Sequence, residues 1–411
     1  MHPRSPFNSP TLFAELAREY PDLAKHVIPP SSLNFKDPEA VQALSRCLLQ
    51  HHFSLDVELR GDRLCPMIPN RVDYILWLQD LLDETAPNSP KDRKIIGLDI
   101  GTGASAVYPL LGCALRETWS MIGTDIDSVS LETACRNCEK NQKIVGDRIT
   151  IHKSSVDGAL IPLDALNLER IDFVMCNPPF YSSATDMLQS AEAKLLPPLT
   201  ACTGTPTEMV HAPDGELGFA RKMLEESRQL GERVQWYTTL FGKLSSVQEM
   251  VREIGAVLGG SGNWAVTQFV QGTTRRWAVG WSFGDLRARR GTVLVESVAL
   301  AGCCPFPPEV TIRAGEKVQR EKVREVLREL KTLNTVDPRE MYCEFAGNVW
   351  SRAWRRASLR GTATTDGKLR LGVHVELLEG NQELEIRWVR GLDKVLFESF
   401  CEMMRRKFAY S

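Results

Sequence analysis

The sequence has no surplus of charge. In 411 residues, 50 lysines and arginines face 52 aspartates and glutamates, a formal net charge of −2. A uniformly basic surface is therefore excluded, and any nucleic-acid site has to be a local patch. No apolar run reaches membrane-spanning length, which excludes a transmembrane helix. The first residues lack the basic-then-apolar pattern of a secretory leader. Eleven cysteines, an odd number, are scattered without a framework, so a disulfide-stapled scaffold is excluded too. One CxxC occurs, Cys135 to Cys138, without a second pair or histidines at ligand spacing. It falls in an expected helix and reads as ordinary thiols, and no metal is expected. Repeats and low-complexity tracts are missing as well. The chain reads as a soluble protein of a reducing compartment, cytosolic or nuclear.

What remains is a globular composition, 43% hydrophobic and 25% charged, in a chain longer than one core usually sustains. Two domains are expected. Residues 1–32 carry several prolines and one amphipathic stretch, 12–20, and read as an arm outside the core. Helices are expected at 38–50, opened by Asp37 as N-cap with Pro38 in the first turn, and at 70–82. After a connector at 86–92, strands and helices alternate. Strands are expected at 95–100, 120–124, 149–152, 171–176 and 234–240. Helices are expected after the first strand, near 128–141, at 216–230 and at 245–256. Strands at 265–271 and 277–283, joined across 272–276, close the run. That order predicts an α/β fold over 33–285, a doubly wound, mostly parallel sheet with an antiparallel terminal hairpin.

Residues 286–291, Leu-Arg-Ala-Arg-Arg-Gly, read as a basic hinge. Beyond them, 292–411 are expected to form a small α+β domain with a strand at 292–300, helices at 317–330 and 340–356, strands at 369–377 and 383–389, and a last helix at 393–408. This part holds 20 basic against 17 acidic residues, a net of +3. Its basic residues cluster as Arg352, Arg355, Arg356 and Arg360, then Arg405, Arg406 and Lys407. Cations at helix C-termini offset the helix dipole; they equally suit phosphate contacts, which is the preferred reading. Trp350 and Trp354, four apart, read as one packed helical face, and Trp236, Trp277 and Trp281 as core.

Three short motifs carry chemistry. Asp99-Ile-Gly101-Thr-Gly103-Ala-Ser105 closes the first strand. Its glycines permit a tight turn and close backbone approach, and Ser105 can add a hydroxyl. The spacing lacks the third glycine of a dinucleotide fingerprint, so a nicotinamide cofactor is disfavoured. The second strand ends at Asp125, where a carboxylate can accept both hydroxyls of a ribose. After the fourth strand comes Asn177-Pro178-Pro179-Phe180. The prolines make a rigid elbow, so the Asn177 side-chain carbonyl and the Pro178 carbonyl can face one –NH₂ group beside the flat Phe180 ring. That is a receptor for an exocyclic amine on a conjugated system such as adenine.

In this order the three motifs resemble the class I S-adenosylmethionine-dependent methyltransferases, a Rossmann-like fold, and the last resembles their amino-methylating branch. Longer stretches narrow the likeness: Leu33-Asn-Phe-Lys36-Asp-Pro-Glu-Ala-Val41, Gly97 to Ser105 with Tyr108-Pro-Leu-Leu-Gly112, Cys176 to Phe180, and Arg276-Trp-Ala-Val-Gly-Trp-Ser-Phe283. Together they resemble the methyltransferase-like protein 16 family of RNA N6-adenosine methyltransferases, related to bacterial 23S ribosomal RNA adenine methyltransferases, over about residues 1–285. Leu371 to Glu376, Glu385 to Trp388 and the final helix resemble that family's vertebrate-conserved RNA-binding region.

The resemblance implies methylation of an adenosine in structured RNA, U6 small nuclear RNA and for some members messenger RNA hairpins. It implies S-adenosyl-L-methionine as cofactor, no metal, no membrane, and a nuclear place, with the cytoplasm as a second. Carried over by position, Asn177, Pro178, Pro179 and Phe180 hold the target adenine. Arg71, Asp99, Gly101, Gly103, Ser105, Asp125 and Asn177 hold the cofactor, Arg71 through the methionine carboxylate. Lys36, Lys153, Arg275, Arg276, Arg352, Arg355 and Arg356 face RNA. The family's basic residue after the hairpin glycine is Thr273 here, with Arg275 to stand in, and the 153–160 loop carries an insertion. Two other readings stay open: methylation of a different conjugated amine (guanine N2 or a glutamine amide), and an RNA-binding or splicing-assembly factor whose catalysis is dispensable.

Overall fold

Strands whose residues are apolar on both faces need helices on both sides of the sheet. The computed structural model has this arrangement. It describes residues 2–9, 13–86, 93–187, 204–272, 274–294, 297–315, 318–330, 332–333, 341–362, 366–378 and 382–408. The chain divides into two compact units, one of residues 1–83, 89–257 and 266–282, the other of 84–88, 258–265 and 283–411.

The first unit holds all or most of the following elements, in which helices α1 (Phe13–Glu19), α2 (Pro38–Phe53) and α3 (Ile68–Glu84) precede the sheet. Then follow β1 (Ile95–Ile100), α4 (Val107–Leu115), β2 (Trp119–Asp125), α5 (Ser128–Lys140), β3 (Ile149–Lys153) and β4 (Ile171–Cys176). Next come α6 (Gly215–Leu230), β5 (Val234–Phe241), α7 (Leu244–Leu258), β6 (Asn263–Gln271) and β7 (Thr274–Ser282). The seven strands lie in the order β3-β2-β1-β4-β5-β7-β6. Strands β1 to β5 pair in parallel and β7 pairs antiparallel to β5. Strand order reverses between β1 and β4, and at such a switch point the carboxyl ends open a crevice for ligand. The register sets Ile100 level with Thr124 and with Cys176, and Asp125 level with Lys153. Gly101, Asp125 and Asn177 thus leave the sheet along one edge.

Helix starts follow their caps. The Asp37 carboxylate accepts from Glu39 N at 3.0 Å with Pro38 in the first turn, and Asp127 accepts from Val129 N and Ser130 N to open α5. A buried hydroxyl relay ties α3 to the sheet: Tyr74 OH meets Thr238 Oγ1 at 2.8 Å, and Thr238 donates to Val174 O at 2.9 Å.

The expected arm is not outside the core. Leu23 is fully buried and Phe7 nearly so, and Arg4 donates to Leu76 O and Gln79 Oε1, both at 3.0 Å. Pro21 opens a short helix there, Pro21–Ala24, which carries Leu23 into the core. Farther on, residues 55–65 are laid along α5 by two buried amides acting as substitute backbone. Asn141 accepts from Asp56 N (2.8 Å) and donates to Asp56 O (2.7 Å). Asn137 accepts from Glu58 N (2.7 Å) and donates to Glu58 O and Ala104 O, each at 3.1 Å. Asn137→Ala strands a buried donor and two acceptors, and is expected to cost about 3 kcal/mol, read as a lower denaturant midpoint.

The second unit is a four-stranded antiparallel sheet backed by helices. Its elements are β8 (Glu309–Arg313), α8 (Arg320–Arg328), β9 (Tyr342–Phe345), α9 (Arg352–Leu359), β10 (Leu371–Leu378), β11 (Glu383–Arg390) and α10 (Lys394–Phe408). The strand order is β8-β11-β10-β9, over a core of Phe345, Trp388, Phe397, Phe400 and Met404.

Several expectations give way here. The strand at 292–300 is instead a helical turn, Arg290–Val293, and a 3₁₀ turn, Val298–Cys303. The helix at 340–356 is a strand followed by a shorter helix. Tyr-Cys-Glu-Phe pairs with β10, Gly347-Asn348 interrupts it, and Ser351 caps α9 by accepting from Trp354 N at 3.1 Å. Trp350 therefore precedes the helix that holds Trp354. Strand β8, short and preceded by Pro307 and Pro308, gives no periodic signal. Arg287 is no hinge residue: it is buried, its guanidinium stands 3.6 Å from the Trp388 ring centroid, and Nε donates to Gly391 O at 2.9 Å. Burial pushes its pKa down to about 9. Residues 87–92 of the expected connector, Thr273, Lys317 and Glu340 lie outside the described residues.

Candidate active site

At the end of β1 the chain turns through Gly101 (φ +70°) and Gly103 (φ +64°), left-handed conformations that favour glycine. No atom lies within 4 Å of where a Cβ would stand on either, so the turn faces open space. Gly101 N and Thr102 N donate to Thr124 O, both at 2.9 Å, which fastens the turn to β2. Gly103 N donates to Asp125 Oδ2 and Asp127 N to Asp125 Oδ1, both at 2.9 Å. The Asp125 carboxylate is thereby oriented beside the turn. Burial raises its pKa, opposed by these backbone donors.

Asp99 is fully buried and no hydrogen bond of good geometry reaches either carboxylate oxygen; the Thr102 hydroxyl interacts with it only weakly. Burial pushes the Asp99 pKa up to about 8, with Asp125 adding to the rise and the Thr102 hydroxyl and Arg71 opposing it. Arg71, on α3, donates to Tyr108 OH at 2.9 Å and stands 5.3 Å from that ring's centroid. A cation and a poorly compensated buried acid near one glycine turn suit a zwitterionic amino acid. Ser105 is buried at the end of the turn.

On the other side of the switch point, Cys176 Sγ bonds Ile100 O at 3.4 Å, and β4 hands over to the Asn-Pro-Pro-Phe elbow. Asn177 Oδ1 is buried without a partner. A buried acceptor left unmade costs stability, so its place beside an open edge points to a donor brought by a ligand. Pro178 is buried, and Pro179 and Phe180 are half-buried. Tyr181 N donates to Met209 O and His211 N to Tyr181 O, both at 2.9 Å, pinning the elbow to the segment before α6.

Arg275 and Arg276 lie inside β7 and not on a loop tip, because the strands of the hairpin run on to its turn. Arg275 is exposed. Arg276 is half-buried with its guanidinium over the Phe180 ring, 5.7 Å from the centroid. Burial, then the charge of Arg71, lowers its pKa. Lys153 is exposed at the end of β3 and donates to Ser128 Oγ at 2.7 Å; Lys36 is exposed before α2. Neither bonds the Asn177–Phe180 segment. In the second unit, Arg352, Arg355 and Arg356 are exposed on α9, with no acidic partner among the described residues.

Two features escaped sequence reasoning. Ile126, 38% exposed directly after Asp125, is an apolar side chain on the same sheet edge; its place between two acids was the only signal. The 153–160 loop is held to α6, where the Glu226 carboxylate accepts from Leu160 N (2.9 Å) and Ile161 N (3.0 Å), and Lys222 donates to Gly158 O (3.1 Å). Among the described residues no cluster of histidine, cysteine or acid could hold a metal, and no helix is long and apolar enough to cross a membrane.

The model of the Methyltransf_10 family, described as RNA methyltransferase, matches residues 1–285. The U6 small nuclear RNA (adenine-(43)-N(6))-methyltransferase of Schizosaccharomyces pombe is 34% identical over 382 residues, 91% of this chain and 94% of that protein. The RNA N(6)-adenosine-methyltransferase METTL16 of Homo sapiens is 38% identical over 295 residues, 69% of this chain and 51% of that protein, so the match spans about half of the human relative. Among solved structures, the human METTL16 catalytic domain in complex with MAT2A 3′UTR hairpin 1 superposes with a TM-score of 0.60 at 37% identity, covering 69% of this chain and 95% of that one. The N-terminal domain of human METTL16 in complex with SAH gives 0.56 at 35% identity, covering 69% and 99%.

Proposed function

We propose, on the premise that this chain belongs to the Methyltransf_10 family of RNA methyltransferases, that it methylates the N6 amine of an adenosine in structured RNA, foremost U6 small nuclear RNA. The observation that carries this reading is the buried, unpartnered Asn177 Oδ1, three residues before Phe180, on the sheet edge that also holds Asp99, Gly101, Gly103 and Asp125.

Those residues fit S-adenosyl-L-methionine. When bound, it supplies a sulfonium methyl already activated for transfer. Arg71 would offer its charge to the carboxylate, Asp99, on giving up its proton, would face the ammonium, Asp125 would accept from ribose hydroxyls, and Gly101, Gly103 and Ser105 would bring backbone and a hydroxyl close. Asn177 Oδ1 and the Pro178 carbonyl accept from the adenine –NH₂, which localises the nitrogen lone pair and aims it. Phe180 stacks on the extruded base and replaces its lost neighbours. As the N–CH₃ bond forms the S–CH₃ bond would break, leaving a neutral thioether, and the amine's surplus proton would pass to water.

Lys36, Lys153, Arg275 and Arg276 serve RNA phosphates from residues 33–285, while 1–32 lead into that catalytic part. Past 286–291, the 292–411 part adds a second RNA contact through Arg352, Arg355 and Arg356 on α9. Replacing those three by glutamate is expected to weaken U6 RNA binding tenfold or more, and to lower the slope of log K against log salt by about 2. Filter binding over a salt series reads both. Nuclear residence follows from the U6 substrate.

A different conjugated amine is separable by one experiment. Methyl-labelled cofactor is offered to RNA and protein pools, followed by nucleoside and amino-acid analysis. Label is expected in N6-methyladenosine; label in glutamine or guanosine, and none in adenosine, overturns the assignment.

A further inference from the structure

Phe180 lies beyond the last paired residue of β4, so the sheet does not fix its ring. Three neighbours do. The Phe180 carbonyl lies against Gly215 at the start of α6, where a Cβ would come within 2.8 Å of Phe180 O. Gly215 also holds φ +57° and donates to His211 O at 2.7 Å. Along its Cδ1–Cε1 edge the ring meets Gly242, where a Cβ would stand 3.3 and 3.5 Å from those two atoms. Arg276 lies over the ring.

Gly242 follows β5 and belongs to no helix or strand. What holds it is a buried acid. Glu216, 2% exposed in the first turn of α6, accepts from Gly242 N at 2.7 Å through Oε2 and from Lys243 N at 3.0 Å through Oε1. A carboxylate that accepts two consecutive backbone N–H groups fixes the position and the tilt of that turn. The same charge acts on Arg276. Glu216 thus holds the turn against one edge of the ring by hydrogen bonds and acts on the cation over its face through charge alone.

We propose that Glu216 is the positioning residue of the target-base platform: it locks the Gly242–Lys243 turn against the edge of Phe180, so that the ring presents one fixed face to the extruded adenine. This rests on the reading of Phe180 as the stacking surface. Glu216 touches no substrate. Its effect is on how well the bound base is aimed, and misplacement on the scale of 1 Å costs up to about a hundredfold in rate. A glutamine here keeps one acceptor oxygen and turns an –NH₂ toward the second N–H, so half the lock survives.

The test uses the full chain with a U6 transcript carrying 2-aminopurine at the target adenosine, together with single-turnover methylation of the unmodified transcript. The wild type is expected to change the 2-aminopurine fluorescence on binding, and Phe180→Ala to lose that change. Glu216→Ala and Gly242→Ala should bind RNA and S-adenosylmethionine within about twofold of wild type. They should nevertheless show a reduced fluorescence change and methylate about tenfold or more slowly, with Glu216→Gln between. Wild-type fluorescence and wild-type rate in both alanine variants overturn the proposal. If Glu216→Ala fails to fold, Gly242→Ala decides alone, since the nearest atoms to its added methyl are the Glu216 carboxylate at 3.3 Å and the Phe180 ring at 3.3 and 3.5 Å. Phe180→Ala behaving like wild type removes the stacking surface, and this proposal with it, whatever Glu216 does.

Discussion

Asn177→Ala is expected to slow methyl transfer to U6 RNA by roughly 10²–10³, the range found when one preorganised polar group is taken from a reacting centre. The Pro178 carbonyl still accepts one hydrogen bond from the adenine amine, which is why the loss stops short of complete. Because Asn177 Oδ1 has no partner within the protein, its removal frees no group that folding had satisfied. The variant should therefore melt no lower than wild type, and RNA binding should stay within a few-fold. Single-turnover rates beside filter binding and thermal melts separate these effects. A cell lacking the protein and fully rescued by Asn177→Ala would instead favour a scaffold whose catalysis is dispensable.

The second large effect concerns Asp99. Its carboxyl ionises near pH 3.8 in an unfolded chain and near 8 in the folded protein, chiefly because it is buried. Between those values the folded protein keeps a proton that the unfolded chain has released. Its contribution to stability is whole below about pH 4 and is lost progressively as pH rises through 8. Asp99→Asn imitates the protonated form. It should match wild type in melting temperature near pH 4 and exceed it by several degrees at pH 8.

The gain comes at the site. A cofactor ammonium requires the ionised carboxylate, so wild-type affinity for S-adenosylmethionine should climb with pH up to about 8, with release of a proton on binding. Asp99→Asn should abolish that slope and weaken binding at pH 8 by about tenfold or more. Calorimetry in buffers of different ionisation enthalpy reads the proton. A variant that binds as tightly as wild type, or a wild type that releases none, would separate Asp99 from the ammonium.

How far residues alone carry depends on the range of the interaction behind each feature. Ile95–Ile100 and Ile171–Cys176 were legible to the residue, because continuous apolar runs ended by glycine or proline report their own boundaries. The glycine turn, Asp125 and the Asn-Pro-Pro-Phe elbow could be ordered along one edge for the same reason. Arg276 could not be placed, since its position over Phe180 comes from the register of β7 on β5, which neither strand encodes alone. Glu216 looked like any first-turn acid; its partners are backbone groups 26 and 27 residues away. In the second unit, Tyr342–Phe345 was read as helix because an edge strand of four residues shows no period of its own.

The amides that bind residues 55–65 to α5 also set a schedule. Asp56 and Glu58 leave the ribosome 85 and 79 residues ahead of the asparagines that receive them. At roughly 5–20 residues per second that is a wait of about 4–17 seconds. Throughout it the apolar face of α2, with Leu48 and Leu49, and the strap residues Leu55 and Val57 are all made, and the helix that fastens the strap is not. The strap thus cannot settle until residues 137 and 141 have been made, and nascent protein stalled before residue 137 is expected to be the species that chaperones hold and proteases cut.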